Sequence, residues 1–219
     1  MKQFVKDKIT LLQCDCMDYM KDVPDKYFDL AIVDPPYGIN AGNMTMGKGS
    51  GNDLGKHKAN DWDKNIPSAD YFSELFRISK KQIIWGGNYF GDFLGKYKGG
   101  IIWDKEDYNS DFADCELAWS SCDKVFKIYK RARSKGGDSI NKIHPTQKPI
   151  ALYKWLLKNY ATPDMKIIDT HGGSMSSMIA CYDFGCEAVC CEIDEDYFDA
   201  GVKRFDNETR QLTCFKTHE

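Results

Sequence analysis

The sequence has no uninterrupted apolar run long enough to cross a bilayer, so no membrane-spanning helix is expected. Its first residues, Met1 to Lys8, lack the apolar core and small-residue cleavage site of a signal peptide, and a cytoplasmic location away from membranes is expected. An excess of positive charge is also missing. The formal net charge is −3, so a polyanionic partner would have to meet a local basic patch. Nine cysteines are present, but none forms a CxxC pair or stands at metal-ligand spacing from a histidine, so no metal site is expected. Their odd number argues against a complete disulfide framework and suits small core residues in a reducing compartment. Internal repeats and low-complexity blocks are absent. What remains is a composition of 42% hydrophobic and 29% charged residues over 219 positions, which suits a single α/β domain spanning 1–219.

Within that domain the stretch Asp34-Pro35-Pro36-Tyr37 stands out, because it follows the apolar run Leu30 to Val33 without an intervening polar residue. Two prolines fix their own φ and push Asp34 into extended geometry, so a stiff turn at a strand's end presents a carboxylate, carbonyls and a ring together. Ile9 to Asp15 reads as another strand ending on an acid, with a short helix behind it. In open α/β sheets ligands bind beyond the carboxyl ends of the strands, so Asp15 and Asp34 are expected in one crevice, although Asp15 also suits a helix cap. Residues 38–65 change to Gly, Asn, Lys and Asp with almost no apolar periodicity, which suggests a mobile substrate-contacting lid.

Ser68 suits an N-cap before a helix with apolar positions Tyr71, Phe72, Leu75, Phe76 and Ile78. Strands are expected at 82–85, 100–104 and 116–120, the last two as antiparallel neighbours. The segment 124–148 carries Lys130, Arg131, Arg133 and other cations interleaved with Phe126 and Tyr129, and forms the one local basic patch. His144-Pro145-Thr146-Gln147-Lys148-Pro149 follows, ahead of an amphipathic run over 150–160. The last third reads as strand Lys166 to Asp169, a turn Gly172-Gly173-Ser174, a helix over 176–184 closed by Gly185, a strand ending at Glu192, and a second helix from Glu195. A βαβ unit whose second strand ends in an acid is the arrangement of a nucleoside half-site.

Taken together and in this order, Asp-Pro-Pro-Tyr at 34–37, His-Pro-Thr-Gln-Lys-Pro at 144–149 and Asp-Thr-His-Gly-Gly-Ser at 169–174 resemble the S-adenosylmethionine-dependent DNA amino-methyltransferases. The motif order is that of the β type, and the resemblance covers roughly residues 9 to 205. It implies a Rossmann-like α/β methyltransferase fold: a circularly permuted, seven-stranded, mostly parallel sheet with one antiparallel strand and helices on both faces. It also implies S-adenosylmethionine as cofactor and DNA as partner.

By the same resemblance, the catalytic positions are Asp34, Pro35, Pro36 and Tyr37, with Tyr37 stacking on a flipped base. Cofactor positions are Asp15, Cys16, Asp34, Thr146, Gln147, Lys148, Asp169, His171, Gly172, Gly173, Ser174, Ser176, Glu192 and Ile193. Among these, Glu192 is implied at the ribose, Asp15 at the adenine amino group, and Lys148 as countercharge to the methionine carboxylate. Substrate positions are Tyr37, Gly38, Lys130, Arg131 and Arg133. Asp at the head of the tetrapeptide favours adenine-N6 over cytosine-N4 as the target. The alternatives are cytosine-N4 transfer and a catalytically silent nucleic-acid-binding subunit. Small size points to a short recognition sequence or a homodimer.

The chain departs from the family at one place. Related chains usually have a small residue where Met175 stands and a bulky one where Gly172 stands. A Met175 that crowds the cofactor would weaken its binding, whereas one turned away would be harmless.

Overall fold

The computed structural model describes residues 1–40, 63–108, 113–132 and 142–216, with side chains to residue 210. Most of the expected lid, residues 41–62, lies outside these, as does part of the basic segment with Arg133. In order the elements are β1 (Lys2–Lys6), β2 (Ile9–Gln13), α1 (Cys16–Lys21), β3 (Phe28–Val33), α2 (Ala69–Ile78), β4 (Ser79–Trp85) and β5 (Gly99–Asp104). They continue through β6 (Cys115–Ser120), β7 (Lys127–Lys130), α3 (Ile150–Tyr160), β8 (Lys166–Asp169), α4 (Ser176–Phe184), β9 (Glu187–Glu192) and α5 (Glu195–Lys216).

The strands form one sheet in the order β1-β2-β9-β8-β3-β4-β6-β5-β7. Strand β3 lies at its centre, parallel to both β8 and β4, and its unbroken apolar text is what burial on two faces requires. Successive side chains point to opposite faces. Leu30 and Ile32 therefore join a core with residues of α3, α4 and α5, while Ala31 and Val33 join a second core with α1 and α2. The helices meet these faces through helical spacing: Tyr71, Phe72, Leu75 and Ile78 on α2, and Leu152, Tyr153, Leu156, Leu157 and Tyr160 on α3 are buried.

Seven strands were expected, and the sheet has nine because β1 and β7 extend its two edges. Two strands rather than one run against the rest. Strand β6 is antiparallel to β4 and β5, and β1 is antiparallel to β2 across a tight turn in which Asp7 takes φ 52°. An aspartate tolerates that left-handed conformation better than most residues. Strand β1 is fastened to α5, where Lys2 Nζ bonds Asp199 and Lys6 Nζ bonds Asp206 and Thr209. Part of the basic segment forms β7, paired in parallel with β5. Among the described residues no helix is long and apolar enough to cross a membrane.

Candidate active site

Parallel register brings several strand ends to one edge of the sheet: Gln13 pairs with Glu192, Asp169 with Cys190, and Val33 with Ile84. Asp15, Glu192, Asp169, Asp34 and Trp85 consequently stand in a row along that edge. At its β2–β9–β8 end lies a cavity of about 130 Å³ lined by Cys14, Asp15, Cys16, Thr170, His171, Glu192 and Ile193.

Asp15 is both a cap and part of the cavity wall. Its Oδ1 accepts from Met17 N at 2.8 Å, which caps α1. Glu192 is fixed by two backbone amides, Gly173 N to Oε2 at 2.6 Å and Asp194 N to Oε1 at 2.9 Å. Burial pushes its carboxyl above the usual range, against the pull of those amides. Asp169 has a supporting place: burial lifts it to about 7, while Ser177 Oγ donates to Oδ2 and His171 N to Oδ1. Burial also drives His171 down to about 4, so the ring is neutral, and its Nδ1 meets Thr170 Oγ1 at 2.9 Å.

The glycine turn resolves the Met175 question. Met175 sits at φ 59°, ψ 22°, as the N-cap of α4, and is fully buried. This left-handed backbone turns its side chain into the core, between Gly172, Cys190 and Gly201, with Sδ 3.6 Å from Cys190 Sγ. A Cβ at Gly172 would lie 2.9 Å from both Met175 Sδ and Cε, and a Cβ at Gly201 2.7 Å from Met175 Cγ. The missing bulk at 172 and the added bulk at 175 thus fill the same space, and Met175 does not line the cavity.

Ser174 and Ser176 are buried and bonded to each other, with Arg204 donating to the Ser174 carbonyl at 2.6 Å and to Ser176 Oγ at 2.9 Å. Gln147 Oε1 accepts from Ile143 N, and Thr146 Oγ1 meets His144 Nδ1, so both serve their own turn. That turn touches the glycine turn, because the His144 ring lies 3.6 Å from the site of a Cβ on Gly173.

Farther along the edge, Asp34 is tied on both oxygens. Tyr37 Oη donates to Oδ1 at 2.5 Å, and Lys148 Nζ donates to Oδ2 at 2.5 Å. Lys148, expected as a countercharge for the methionine carboxylate, instead sits between Asp34 and Glu116, 3.0 Å from Glu116 Oε2. Lys105 pairs with the other oxygen of Glu116 at 2.8 Å. Two carboxylates and two ammonium groups therefore alternate in a nearly dry chain, the arrangement by which buried charges are tolerated.

Burial raises Asp34 despite the opposing effect of Lys148. For Lys148 burial acts downward, but Asp34 and Glu116 outweigh it and keep the ammonium charged. For Glu116 burial acts upward, and Lys148 with Lys105 outweigh it, holding the carboxyl at about 2.

Tyr37 is seated against backbone, since a Cβ on Gly86 (φ 73°) would fall 2.3 Å from its ring. Its ring stacks on Tyr89 with centroids 5.0 Å apart and planes 16° apart, and Tyr89 is 41% exposed. Asp63, buried to 2%, holds the turn from the returning end of the 38–65 segment: Oδ1 accepts from Tyr37 N at 2.6 Å and Gly38 N at 3.0 Å. Lys130 is exposed on β7 and lies 3.6 Å from Asp104, whereas Arg131 is half-buried beside it.

Sequence reading did not single out Glu116, Lys105, Asp63, Trp85 or Tyr89. For Tyr89 a signal was available, an aromatic directly after the Gly86-Gly87 break; for the others none was.

A family model described as DNA methylase, of the N6/N4 type, matches residues 102–203. Over that stretch, somewhat under half of the chain, the sequence is similar to the DNA methylases. The match runs from β5 into α5 and so includes Lys148, the glycine turn and Glu192, with Asp34 to Tyr37 ahead of it. The type II methyltransferase M.HinfI of Haemophilus influenzae is 24% identical across 93% of this chain and 70% of its own. Two solved structures share the fold. An M1.HpyAVI–SAM complex superposes with TM-score 0.62 and 18% identity, covering 90% of this chain and 99% of the other. The PvuII DNA methyltransferase, cytosine-N4-specific, superposes with TM-score 0.59 and 12% identity, covering 94% and 92%. What the chain shares with these structures is the Rossmann-like α/β methyltransferase fold.

Proposed function

We propose that this protein transfers a methyl group from S-adenosylmethionine to the exocyclic N6 of adenine in DNA. The observation that carries the reading is the position of Asp34, on a rigid Pro-Pro turn at the same sheet edge as the Glu192 cavity. The residues of that cavity fit the cofactor. Each Glu192 oxygen accepts one backbone amide and keeps a lone pair for a ribose hydroxyl, Ile193 offers an exposed apolar face to adenine, and Met175 is out of the way. When bound, the cofactor supplies an electrophilic methyl on a sulfonium.

An exocyclic base amine is a poor nucleophile, since its lone pair is delocalised into the ring. Asp34 and the Pro35 carbonyl would each accept an N–H from it, favouring a pyramidal nitrogen and stabilising the positive charge that develops there. A base within a duplex has to be flipped out at a cost of about a few kcal/mol, and stacking on an aromatic ring returns roughly 1–3 kcal/mol. Tyr89 deepens this part of the reading: Tyr37 is packed on Gly86 and bonded to Asp34, and its stacked neighbour Tyr89 offers the exposed ring. Adenine is favoured because Asp, and not Ser, heads the tetrapeptide.

Incubation with labelled S-adenosylmethionine and DNA, followed by mass spectrometry of the nucleosides, tests the proposal. N6-methyladenine that disappears in Asp34→Ala is the expected result. N4-methylcytosine would overturn the choice of base, and no transfer by wild type would overturn the activity.

A further inference from the structure

The charge chain around Asp34 contains a residue that no motif marks. Glu116 comes from β6, one of the two antiparallel strands, and its Oε2 is buried and ion-paired with Lys148 Nζ at 3.0 Å. Its Oε1 is held by Lys105, whose side chain is itself only 7% exposed. Glu116 is thus fixed and charged, with one oxygen on an ammonium that it shares with Asp34, which holds the shorter contact.

Resting on the adenine reading above, the chemistry at Asp34 sets a conflict. The nitrogen that bonds to Asp34 becomes positively charged as it accepts a methyl group, and Lys148 already holds a positive charge 2.5 Å from Asp34 Oδ2. Two cations on one carboxylate in a low-dielectric site repel strongly. One must withdraw, and the amine is the group that has to stay.

We propose that Glu116 is a positioning residue that receives the Lys148 ammonium when a target amine occupies Asp34. In the resting site Lys148 opposes the effect of burial on Asp34 and keeps its carboxyl aimed. When the amine arrives, Lys148 Nζ moves from Oδ2 onto Glu116 Oε2, already 3.0 Å away, and Asp34 is left with the amine and Tyr37. No covalent bond is made or broken in this exchange; Lys148 gives up its pair with Asp34 and keeps the one with Glu116, and the four charges still sum to zero. The groups that face Asp34 are Lys148 ahead of α3, Glu116 on β6, Tyr37 in its own turn, Tyr153 on α3 and Asp169 on β8. Lys148 is the cation among them, so its place decides the charge on Asp34.

The test pairs a titration with kinetics. Selective carbon-13 labelling of aspartate carboxyls, with Asp34→Asn to assign the signal, reports the ionisation of Asp34 directly. Lys148→Met should raise that titration by about one to three units and Glu116→Gln should lower it by about one unit, because the first removes a nearby cation and the second a nearby anion.

In methyl transfer, Glu116→Gln should lower kcat about tenfold or more while KM for DNA moves far less, and Glu116→Asp should recover part of the loss. An Asp34 titration that ignores Glu116→Gln overturns the proposal, as does an unchanged kcat in that variant. Wild-type protein that transfers no methyl group to DNA would instead remove the adenine reading, and the carboxyl titration would then decide the coupling by itself. Should Lys148→Met fail to fold, the titration and the kinetics of Glu116→Gln decide the proposal without it.

Discussion

Met175 and Gly172 should be energetically coupled, and the coupling can be measured in a double-mutant cycle. Met175→Gly removes a fully buried side chain, and large-to-small changes of this kind cost about 2–5 kcal/mol. The same change relieves a left-handed backbone at φ 59°, worth about 1–2 kcal/mol, so the net cost should be about 0–4 kcal/mol. Gly172→Ala inserts a Cβ 2.9 Å from Met175 Sδ and 2.5 Å from Cys190 Sγ, an overpacking that costs about 1–3 kcal/mol. In the double variant the Met175 atoms are gone and the Cys190 thiol, 3.6 Å from Met175 Sδ, can turn into the vacated space. The double should therefore be more stable than the sum of the singles by at least about 1 kcal/mol. Urea unfolding of the four proteins supplies the cycle. Additivity within about 0.5 kcal/mol would refute the shared-space account. Cofactor affinity by calorimetry adds an independent check: a side chain turned into the core predicts a change of less than about threefold for Met175→Gly, whereas intrusion into the site predicts about tenfold or more, or 1.4 kcal/mol.

Stability against pH should report two groups of opposite sense, the buried Asp169 and the half-buried His171. His171, lowered to about 4, is neutral in the folded protein while the unfolded chain takes up a proton below about 6.5, so its contribution is lost as pH falls from 6.5 to 4. Asp169, raised to about 7, retains a proton that the unfolded chain gives up near 3.9, so its contribution is lost as pH rises from 4 through 7. Denaturation profiles of His171→Gln should fall with pH across this range and those of Asp169→Asn should rise; parallel profiles would contradict the assignment.

Asp63→Ala leaves two backbone amides without their acceptor at about 1–3 kcal/mol each, and should lower kcat, while Asp63→Asn keeps an oxygen there and recovers most of the stability. Trp85→Phe removes a buried indole N–H that has no partner among the described residues, and thermal unfolding should register a smaller loss than the about 1 kcal/mol average of point substitutions.

Local text carried most of the sheet and the helices. Strand β3 announces itself by an apolar run that stops at Asp34, and α3 by apolar spacing over 150–160, because both depend on neighbours in sequence. Edge strands were harder to read. Lys2 and Lys6 of β1 look like a solvated terminus until α5 supplies Asp199 and Asp206, and the lysines of β7 hide a ladder partner of β5. The Asp34 carboxylate was legible from its motif, but its counter-ion was not. Lys148 is 114 residues away along the chain, and it also meets Glu116, a residue that no motif marks. The Gly172 and Met175 exchange likewise turns on one backbone angle, which residue identity does not disclose.

Asp63 gives the Asp34 to Tyr37 turn an independence of its own. The chain leaves the turn at Tyr37 and Gly38 and comes back at Asp63, where one carboxylate fastens both amides and Asn40 N bonds the Asp63 carbonyl at 2.9 Å. Exit and return are thus stapled together at the base, and a pull on the intervening chain is borne by that staple before it reaches Asp34. What fixes Asp34 on the side of Tyr37 is therefore contained in the residues of the staple itself.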